Sequence, residues 1–344
     1  MDILTQGLLG AVFAQAIANK EEKKLASIAG AAAGLLADAD ILIRSSSDPL
    51  LTLEYHRHFS HSLFFIPFGA AIALLLLWPL MRRRLSLRRL YIFCLAGYSL
   101  SGLLDACTSY GTYLFWPLSN ERVALNIISI VDPIFTLSLL IALIGSLILK
   151  ERKFAILGLC FCLIYLSLGF MQLKRAEYFA HLLMINRGHN AQQQVVKPTL
   201  GNLVLWRSVY MDGERIYVDA IRIGFFSEAY IFIGNSLRRF SAKKNLPWLD
   251  EGTTLHDDIQ RFTNFSNGFV AFDPSQIDVI GDIRYSLIPH STKPLWGIVI
   301  DLDHPQQHAG YRFFRENGKK TRELFIDMVT GEALENKEIA VIKI

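Results

Sequence analysis

Long apolar stretches fill the first half of the chain and are nearly absent from the second. There are six of them, at residues 3–18, 25–43, 63–81, 90–107, 127–149 and 154–173. A helix of about 20 apolar residues spans the hydrocarbon core of a bilayer, so the last five are long enough and the first is short or tilted. The pattern predicts an α-helical membrane domain of about six transmembrane helices over residues 1–174.

The second half, residues 175–344, has the pattern of a water-soluble domain. Segments typical of strands lie at residues 203–210, 215–223, 268–272, 277–285, 296–302 and 339–344. Met211-Asp212-Gly213-Glu214 is typical of a hairpin turn between the first two, and a helix is expected near residues 255–262. We therefore expect a soluble α+β domain with a mainly antiparallel sheet.

Basic residues set the predicted topology in the lipid bilayer. The connections after the first, third and fifth apolar stretches carry eleven Lys and Arg residues, against three after the second and fourth. Because short cytoplasmic loops carry the positive excess, we expect a multi-pass membrane protein whose C-terminal domain lies outside the cytoplasm. In the inner membrane of a bacterial cell, that side is the periplasm.

The same distribution accounts for the pI of 8.8 without a nucleic-acid partner. The start Met1-Asp2 lacks the positive charge of a signal peptide, so a retained first helix is expected.

Seven ionisable residues lie at one predicted depth, near the outer ends of the apolar stretches. They are Asp38, Asp40, His56, His58, His61, Asp105 and Asp132. An ionisable group within a membrane is costly unless it is paired, metal-bound or facing water. Because carboxylates and imidazoles are ligands for divalent metals, the shared depth indicates a metal or proton site.

The acids also have local explanations. Asp40 could pair with Arg44, and Asp132, directly before Pro133, could simply cap a helix. Asp38 and Asp40 point apart on a regular helix. A site that contains both of them therefore requires a helix end at this position.

The spacing of the histidines leaves two pairs open. His58 and His61 are three residues apart and would share one face within a helix. His56 and His61 are five apart, so both bind one ion only if His56 precedes the helix, with Ser60 as its N-cap.

Four short motifs occur in the N-terminal part: Met1-Asp2-Ile3-Leu4-Thr5-Gln6-Gly7-Leu8-Leu9-Gly10, Gly34-Leu35-Leu36-Ala37-Asp38-Ala39-Asp40, His56-Arg57-His58-Phe59-Ser60-His61-Ser62 and Leu104-Asp105-Ala106-Cys107-Thr108-Ser109-Tyr110-Gly111-Thr112. Together they resemble the motifs of the YdjM-like bacterial inner-membrane proteins, which are described as metal-dependent hydrolases. The likeness continues through Val131-Asp132-Pro133 and, more loosely, into Leu205-Trp206-Arg207 and Gly281-Asp282-Ile283-Arg284-Tyr285, so it covers most of the chain.

The resemblance implies a metal centre. The ligands that it implies are Asp38, Asp40, His56, His61 and Asp105, holding one or two divalent ions, Zn²⁺ in the first place and Mn²⁺ as the alternative. His58 stands where the family pattern has a different residue, so it is not expected to bind metal. The family often has His where this chain has Ser101, and some members have His in place of Gln6. The number of ions and the activity depend on these two replacements.

A more distant resemblance is to the zinc-dependent phospholipase C and P1-type nuclease group, which cleaves phosphoesters. It implies a hydrolase at the periplasmic membrane surface, acting on a phosphoester or a lipid-linked substrate. We expect Asp132 and Arg57 to be catalytic, and Arg57 and Arg122 are able to hold a phosphate. Contact of these arginines with lipid phosphates is an equally good explanation of their position.

Two other classes of function fit the same residues. A transporter or channel could relay protons or ions through the acids and histidines, and a non-catalytic scaffold could act through its soluble domain. A relay should place acids at several depths, whereas the middle of the apolar stretches is nearly free of charge, which favours a site at the surface.

In the soluble half, His256-Asp257-Asp258 and Asp301-Leu302-Asp303-His304 have the composition of ligands, but such loops are usually only solvated.

Overall fold

Each of the six apolar stretches contains a helix. In chain order the helices are α1 (Ile3–Ala16), α2 (Lys23–Leu36), α3 (Leu51–Tyr55), α4 (Ile66–Met81), α5 (Leu87–Ala106), α6 (Pro133–Ile148) and α7 (Arg152–Asn186), with 3₁₀ helices at Ala37–Leu42, Phe59–His61 and Leu63–Phe65. The short helix α3 was not expected from the apolar pattern. These bounds come from a computed structural model that describes residues 1–226, 228–314, 318–335 and 341–343.

Three helical segments are long and apolar enough to cross a membrane. They are Lys23–Leu42, Leu63–Met81 and Arg152–Asn186. Helices α1 and α6 are apolar but shorter. Helix α6 starts later than its apolar stretch because Pro133 occupies its first turn and the Asp132 side chain caps it by accepting from the Phe135 amide. Within the described residues, helix length and composition therefore support three crossings, and the six predicted crossings stay a prediction.

The chain divides into two compact units. The first comprises Met1–Ile43 and Tyr55–Met171, and the second comprises Arg44–Glu54 and Gln172–Ile344. The second unit thus includes a short segment from the N-terminal half of the sequence. Leu50 and Leu53 anchor this segment because both are buried in the same apolar core as Leu255, Ile259 and Phe262.

Glycines allow three helices of the first unit to touch. Gly10 of α1, Gly30 of α2 and Gly97 of α5 face one another, and a Cβ atom on any of them would overlap a facing backbone carbonyl. Small residues of this kind let helix backbones approach closely in membrane proteins. The centre of this three-helix contact is consequently filled by backbone atoms.

The second unit consists of two antiparallel sheets with helices. Its strands are β1 (Gln193–Pro198), β2 (Leu205–Asp212), β3 (Arg215–Ile223), β4 (Ala229–Phe232), β5 (Ser236–Arg238), β6 (Val270–Asp273), β7 (Gln276–Asp282), β8 (Trp296–Val299), β9 (Gly310–Phe313) and β10 (Val341–Lys343), and its helices are α8 (Ala242–Asn245), α9 (Thr254–Phe265) and α10 (Lys319–Thr330). One sheet has the order β1-β2-β3-β4-β10, with β5 also paired to β3, and the other has the order β6-β7-β8-β9. The predicted antiparallel α+β domain is confirmed. Of the strand predicted at residues 339–344, positions 339, 340 and 344 lie outside the described residues.

Candidate metal centre

The acids of the second apolar stretch lie at a change of helix type. Helix α2 ends at Leu36 and continues as the 3₁₀ helix Ala37–Leu42, so the predicted helix end is confirmed. A 3₁₀ helix has three residues per turn, and this tighter winding changes the direction of the side chains relative to α2. Asp38 and Asp40 lie on this turn, and Asp40 is buried.

His61 is buried between these two acids. Its Nε2 atom lies 3.3 Å from Asp38 Oδ1 and its Nδ1 atom lies 3.2 Å from Asp40 Oδ2. Nε2 is also 3.1 Å from Asp105 Oδ2, which comes from the last turn of α5. One imidazole therefore contacts three carboxylates from two separate segments of the chain.

Helix α5 also fixes the backbone of His61. The Tyr98 hydroxyl donates to the Ser60 carbonyl over 2.7 Å. Gly102 lies so close to the His61 carbonyl that a Cβ atom at this position would overlap it. The predicted N-cap is wrong, since the residue that caps the following turn is Ser62, which accepts from the Phe65 amide.

Asp38, His61 and Asp105 offer one ligand atom each within 4.8 Å of one another. Both oxygens of Asp38, Oδ2 of Asp105 and Nε2 of His61 are buried and make only close ionic contacts, of 3.0–3.3 Å, without hydrogen-bond geometry among the described residues. Buried polar atoms are rarely left in this state, because an unpaired one costs about 1–3 kcal/mol. Two carboxylates and one imidazole that converge on one point are a ligand set for a divalent ion of the zinc type, and three protein ligands leave a coordination position open.

Asp40 holds His61 in its orientation. Besides His61 Nδ1, its carboxylate accepts from the Arg57 amide over 2.8 Å and from the Ser60 hydroxyl over 2.5 Å, and it lies 2.9 Å from His56 Nδ1. A carboxylate on one ring nitrogen sets the orientation of a histidine whose other nitrogen faces a metal. Asp40 and His56 lie beside the group of three, and their role as ligands stays a prediction.

Protonation of His61 competes with a metal ion. Burial lowers the pKa of His61, but the three neighbouring carboxylates, Asp105, Asp38 and Asp40, outweigh burial and raise the pKa to about 10. Metal ligands must be deprotonated, so an ion at Nε2 replaces a proton there.

Arg57 lies next to Asp105. Its Nε atom is 3.0 Å from Asp105 Oδ2, and its other guanidinium nitrogens donate to the Thr108 hydroxyl and to the Met1 carbonyl, each over 3.2 Å. The amino group of Met1 also contacts Asp105. Arg57 is buried and adopts φ +60°, a left-handed conformation that the turn before the site imposes. The structure thus places this arginine at the candidate centre, and its catalytic role stays a prediction.

The other predicted site residues lie in separate environments. Asp132 caps α6 and accepts from the Tyr165 hydroxyl over 2.9 Å, outside the group of three. Arg122 lies over the rings of Tyr110 and Tyr113, and His58 packs 4.5 Å from the Tyr113 ring. The ring contacts hold the loop after α5 together, and the structure does not bring Asp132 or Arg122 to the ligand atoms.

The two positions where family members have His are buried near the centre. Ser101, one turn before Asp105 on α5, donates to the Gly34 carbonyl over 3.1 Å. The amide of Gln6 lies 3.5 Å from the Ser101 carbonyl, and its Oε1 atom has no hydrogen-bond partner in the described part of the chain. Ser101 is therefore engaged by the backbone of α2 rather than directed at a ligand site.

A second group of possible metal ligands occurs in the other unit. Asp48, Asp258 and His308 bring one atom each within 4.8 Å of one another. Of the motif 256–258, only Asp258 takes part, and neither Asp48 nor His308 was singled out from the sequence, since isolated polar residues in loops give no signal. Arg261 donates to both acids of this group.

Comparison with known proteins covers all residues of the first group and, of the second, only Asp48. A family model, the YdjM inner membrane protein, matches residues 1–176, which contain Asp38, His61 and Asp105. The looser likeness near residues 205–207 and 281–285 lies outside this match. No curated protein and no solved structure gives a significant match. Because the match covers half of the chain and contains the four motifs, the chain belongs to the YdjM inner membrane protein family.

Proposed function

We propose that this protein is a metal-dependent hydrolase of the membrane surface that acts on a phosphoester, in particular one that is lipid-linked. The observation that carries the proposal is the convergence of Asp38, His61 and Asp105, whose facing atoms lack hydrogen-bond partners among the described residues. Ligand atoms that are buried, close together and unpaired are what a metal site requires. Zn²⁺ is the proposed ion, with Mn²⁺ as the alternative.

Different residues would bind the ion, orient its ligand and stabilise the substrate at this centre. Asp38, His61 and Asp105 would hold the ion, which supplies Lewis-acid polarisation of a phosphoryl oxygen and activation of water. Asp40 orients His61, as its contacts with the ring and with the Ser60 hydroxyl indicate. Arg57 sits 3.0 Å from Asp105, where its positive charge would stabilise negative charge that develops on a phosphate.

The proposed topology puts this centre at the periplasmic side. Six crossings would use α1 and α6 as short or tilted spans, together with α5 and the three longer segments. The excess of basic residues after the first, third and fifth stretches supports a cytoplasmic position for those loops and a periplasmic position for the second unit. A reporter fused after Ile344 should be active only outside the cytoplasm.

The glycine contact favours surface chemistry over transport. A relay of protons or ions needs a chain of polar groups or water through the bundle. Gly10, Gly30 and Gly97 bring three helix backbones into contact, which leaves no room for water between them. The proposed activity therefore takes place where the acids lie, at one end of the helices.

The test is metal analysis of the purified full-length protein. After loading with Zn²⁺ or Mn²⁺ and removal of free ions, the wild type should retain about one ion, and His61→Ala and Asp38→Asn should retain none. His308→Ala, in the second acid–histidine group, is the matched control and should retain the ion. Hydrolysis of a chromogenic phosphodiester and of phospholipid in micelles should be lost with the metal. A wild type that stays metal-free after loading overturns the proposal.

A further inference from the structure

A groove on the second unit is lined by basic side chains that the proposed hydrolysis does not use. Its volume is about 600 Å³, within the range of small-molecule sites. Four basic residues contribute to its lining, Arg238, Arg239, Lys243 and Lys244, against a single acid, Glu214. The groove therefore carries an excess of three positive charges.

Two of the four basic residues have no carboxylate partner among the described residues. Glu214 pairs with Arg238 over 3.2 Å and also contacts Lys244. Arg239 and Lys243 have no carboxylate within ion-pair distance in the described ranges of the chain. Both side chains are exposed to the groove, so an anionic ligand would meet two cations without competition from an internal acid.

The backbone holds Arg239 in place. Its amide donates to the Glu214 carbonyl over 2.7 Å, and the amide of the next residue, Phe240, donates to the Val270 carbonyl over 2.7 Å. The guanidinium lies against Gly268, where an added Cβ atom would come within 2.8 Å of Nη2. Gly268 has φ +75° in the turn after α9, so the surface under Arg239 is a fixed turn. A cation on a fixed backbone loses less entropy when it binds a ligand.

The rest of the lining selects a hydrophilic ligand. Gln192, Gln260, Thr263 and Asn264 contribute amide and hydroxyl groups, which donate to and accept from ligand hydroxyls. Phe240, Ala242 and Ile259 also line the groove, but Phe240 is only 3% and Ile259 only 1% exposed, so they offer little surface for an acyl chain or an aromatic ring. An anionic group and several hydroxyls are thus the features that the groove can recognise.

We propose that this groove binds a small phosphorylated, hydroxyl-rich molecule of the sugar-phosphate class. Arg239 and Lys243 bind the phosphate, and the amide side chains of α9 and of Gln192 bind the hydroxyls. A groove of this volume encloses a small solute, whereas a flat membrane surface would reach only its rim. The phosphosugar comes either free in solution or as the headgroup of a lipid. This site is independent of the proposed metal centre, since all of its residues belong to the second unit.

The test is calorimetric titration of the full-length, chelator-treated protein in nanodiscs of zwitterionic lipid. Glucose 1-phosphate should bind in a saturable manner, and glucose without phosphate should bind at least about tenfold more weakly. Arg239→Gln/Lys243→Gln should weaken binding of glucose 1-phosphate at least about tenfold, because two charged contacts are lost. Arg312→Gln/Lys320→Gln removes the same charge elsewhere on the unit and should leave the affinity unchanged.

Three outcomes would overturn the proposal. Absence of saturable binding of glucose 1-phosphate by the wild type means that the groove is not a phosphosugar site. Equal weakening in both double variants means that only net charge matters. Binding to vesicles of phosphatidylglycerol without binding of the soluble ester means that the basic face recognises a membrane. Competition of a phosphosugar-headed lipid in micelles with bound glucose 1-phosphate would identify the headgroup source, and lack of competition would identify the free solute. Because metal is absent throughout, none of these results depends on the hydrolase proposal.

Discussion

The two acid–histidine groups of this molecule have the same spacing and differ in how well their carboxylates are hydrogen-bonded. The first unit contains Asp38, His61 and Asp105, and the second contains Asp48, Asp258 and His308. In both groups one ligand atom from each residue lies within 4.8 Å of the others. Distance alone therefore does not distinguish a metal site from an ion-pair network.

The second group is already neutralised by a cation of the protein. Arg261 lies 2.9 Å from Asp48, 2.6 Å from Glu54 and 2.8 Å from Asp258. The remaining oxygen of Asp258 accepts from the Ala309 amide over 2.9 Å. These carboxylates have the partners that burial requires, and the network ties residues 44–54 to α9.

The first group has close ionic contacts but not well-formed hydrogen bonds on its inner side. Arg57 Nε lies 3.0 Å from Asp105 Oδ2 and His61 Nε2 lies 3.1–3.3 Å from both acids, yet these facing atoms lack hydrogen-bond geometry within the described part of the molecule. The comparison teaches that the unsatisfied atoms, rather than the residue types, mark the candidate metal centre. The following variants test that distinction.

Arg261→Met should have the largest effect on stability. It removes the arginine contacts of the buried Asp258 and of its partly exposed neighbours Asp48 and Glu54, and loss of such hydrogen bonds to a buried acid costs about 1–3 kcal/mol. Hydrogen exchange of residues 44–54 and of α9 should accelerate accordingly, while exchange of α1, α2 and α5 should stay as in the wild type.

The same variant tests why no metal is expected in the second group. With the guanidinium removed, Asp48, Asp258 and His308 could take up a divalent ion, so added Mn²⁺ or Zn²⁺ should restore part of the lost protection in Arg261→Met. Addition of the ion to the wild type should leave exchange of α9 unchanged. An equal response of both proteins would show that the arginine does not exclude a cation.

Asp40→Asn should weaken metal binding at the first group without abolishing it. The amide can no longer hold His61 Nδ1 as a carboxylate does, and loss of such an orienting group lowers metal affinity about 10- to 100-fold. Competition with a chelator of known affinity measures the change. Asp258→Asn, a buried acid of the second group, is the matched control and should leave the affinity as it is; a loss as complete as that in His61→Ala would instead make Asp40 a direct ligand.

Charged residues inside apolar stretches were the part of the site that the sequence made predictable. Asp38 and Asp105 stand out because a carboxylate in a membrane helix needs a reason, and their meeting with His61 follows from one shared depth. The contacts of Arg57 were not predictable, because they depend on a left-handed turn that its neighbours in sequence do not specify. The role of Asp40 depends on a 3₁₀ turn, which helical periodicity does not describe.

The strands of the second unit were predictable where they are apolar. The boundaries of β3, Arg215–Ile223, agree with the predicted segment, since the strand is mostly apolar and buried between the turn at Gly213 and Gly224. Strand β1, Gln193–Pro198, was missed because it begins with glutamines, and its pairing with β2 is set by tertiary structure. Helix α7 continues beyond its apolar stretch to Asn186. Its residues from Gln172 onward belong to the second unit, where the Gln172 side chain donates to the carbonyls of Leu203 and Ile223.

Lys197→Met should have the smallest effect on stability. It should stabilise the protein rather than destabilise it, because it removes a buried amine that has no carboxylate partner among the described residues. Lys197 lies opposite Arg207 on neighbouring strands, and its amine faces the Tyr285 ring without a hydrogen-bond partner among the described residues. Arg207, by contrast, donates to the carbonyls of Ile283, Pro289 and Ser291. Removal of the lysine should therefore stabilise the second unit, and Arg207→Met should destabilise it by leaving those carbonyls unpaired.

The pH dependence identifies the cause of this stabilisation. Burial, together with the charge of Arg207, lowers the pKa of Lys197 well below its ordinary value. Because the pKa of Lys197 is lower in the folded chain than the value of about 10.4 in the unfolded chain, folding disfavours the bound proton at neutral pH. Lys197 therefore opposes folding there and ceases to do so as the pH rises through about 10.4. Lys197→Met should gain about 1–2 kcal/mol at pH 7 by hydrogen exchange of β1 and β2, and less at pH 10. The exposed Lys320→Met should change stability by less than about 0.5 kcal/mol. A gain that does not depend on pH would show that packing against Tyr285, not the charge of the amine, limits the stability of this sheet.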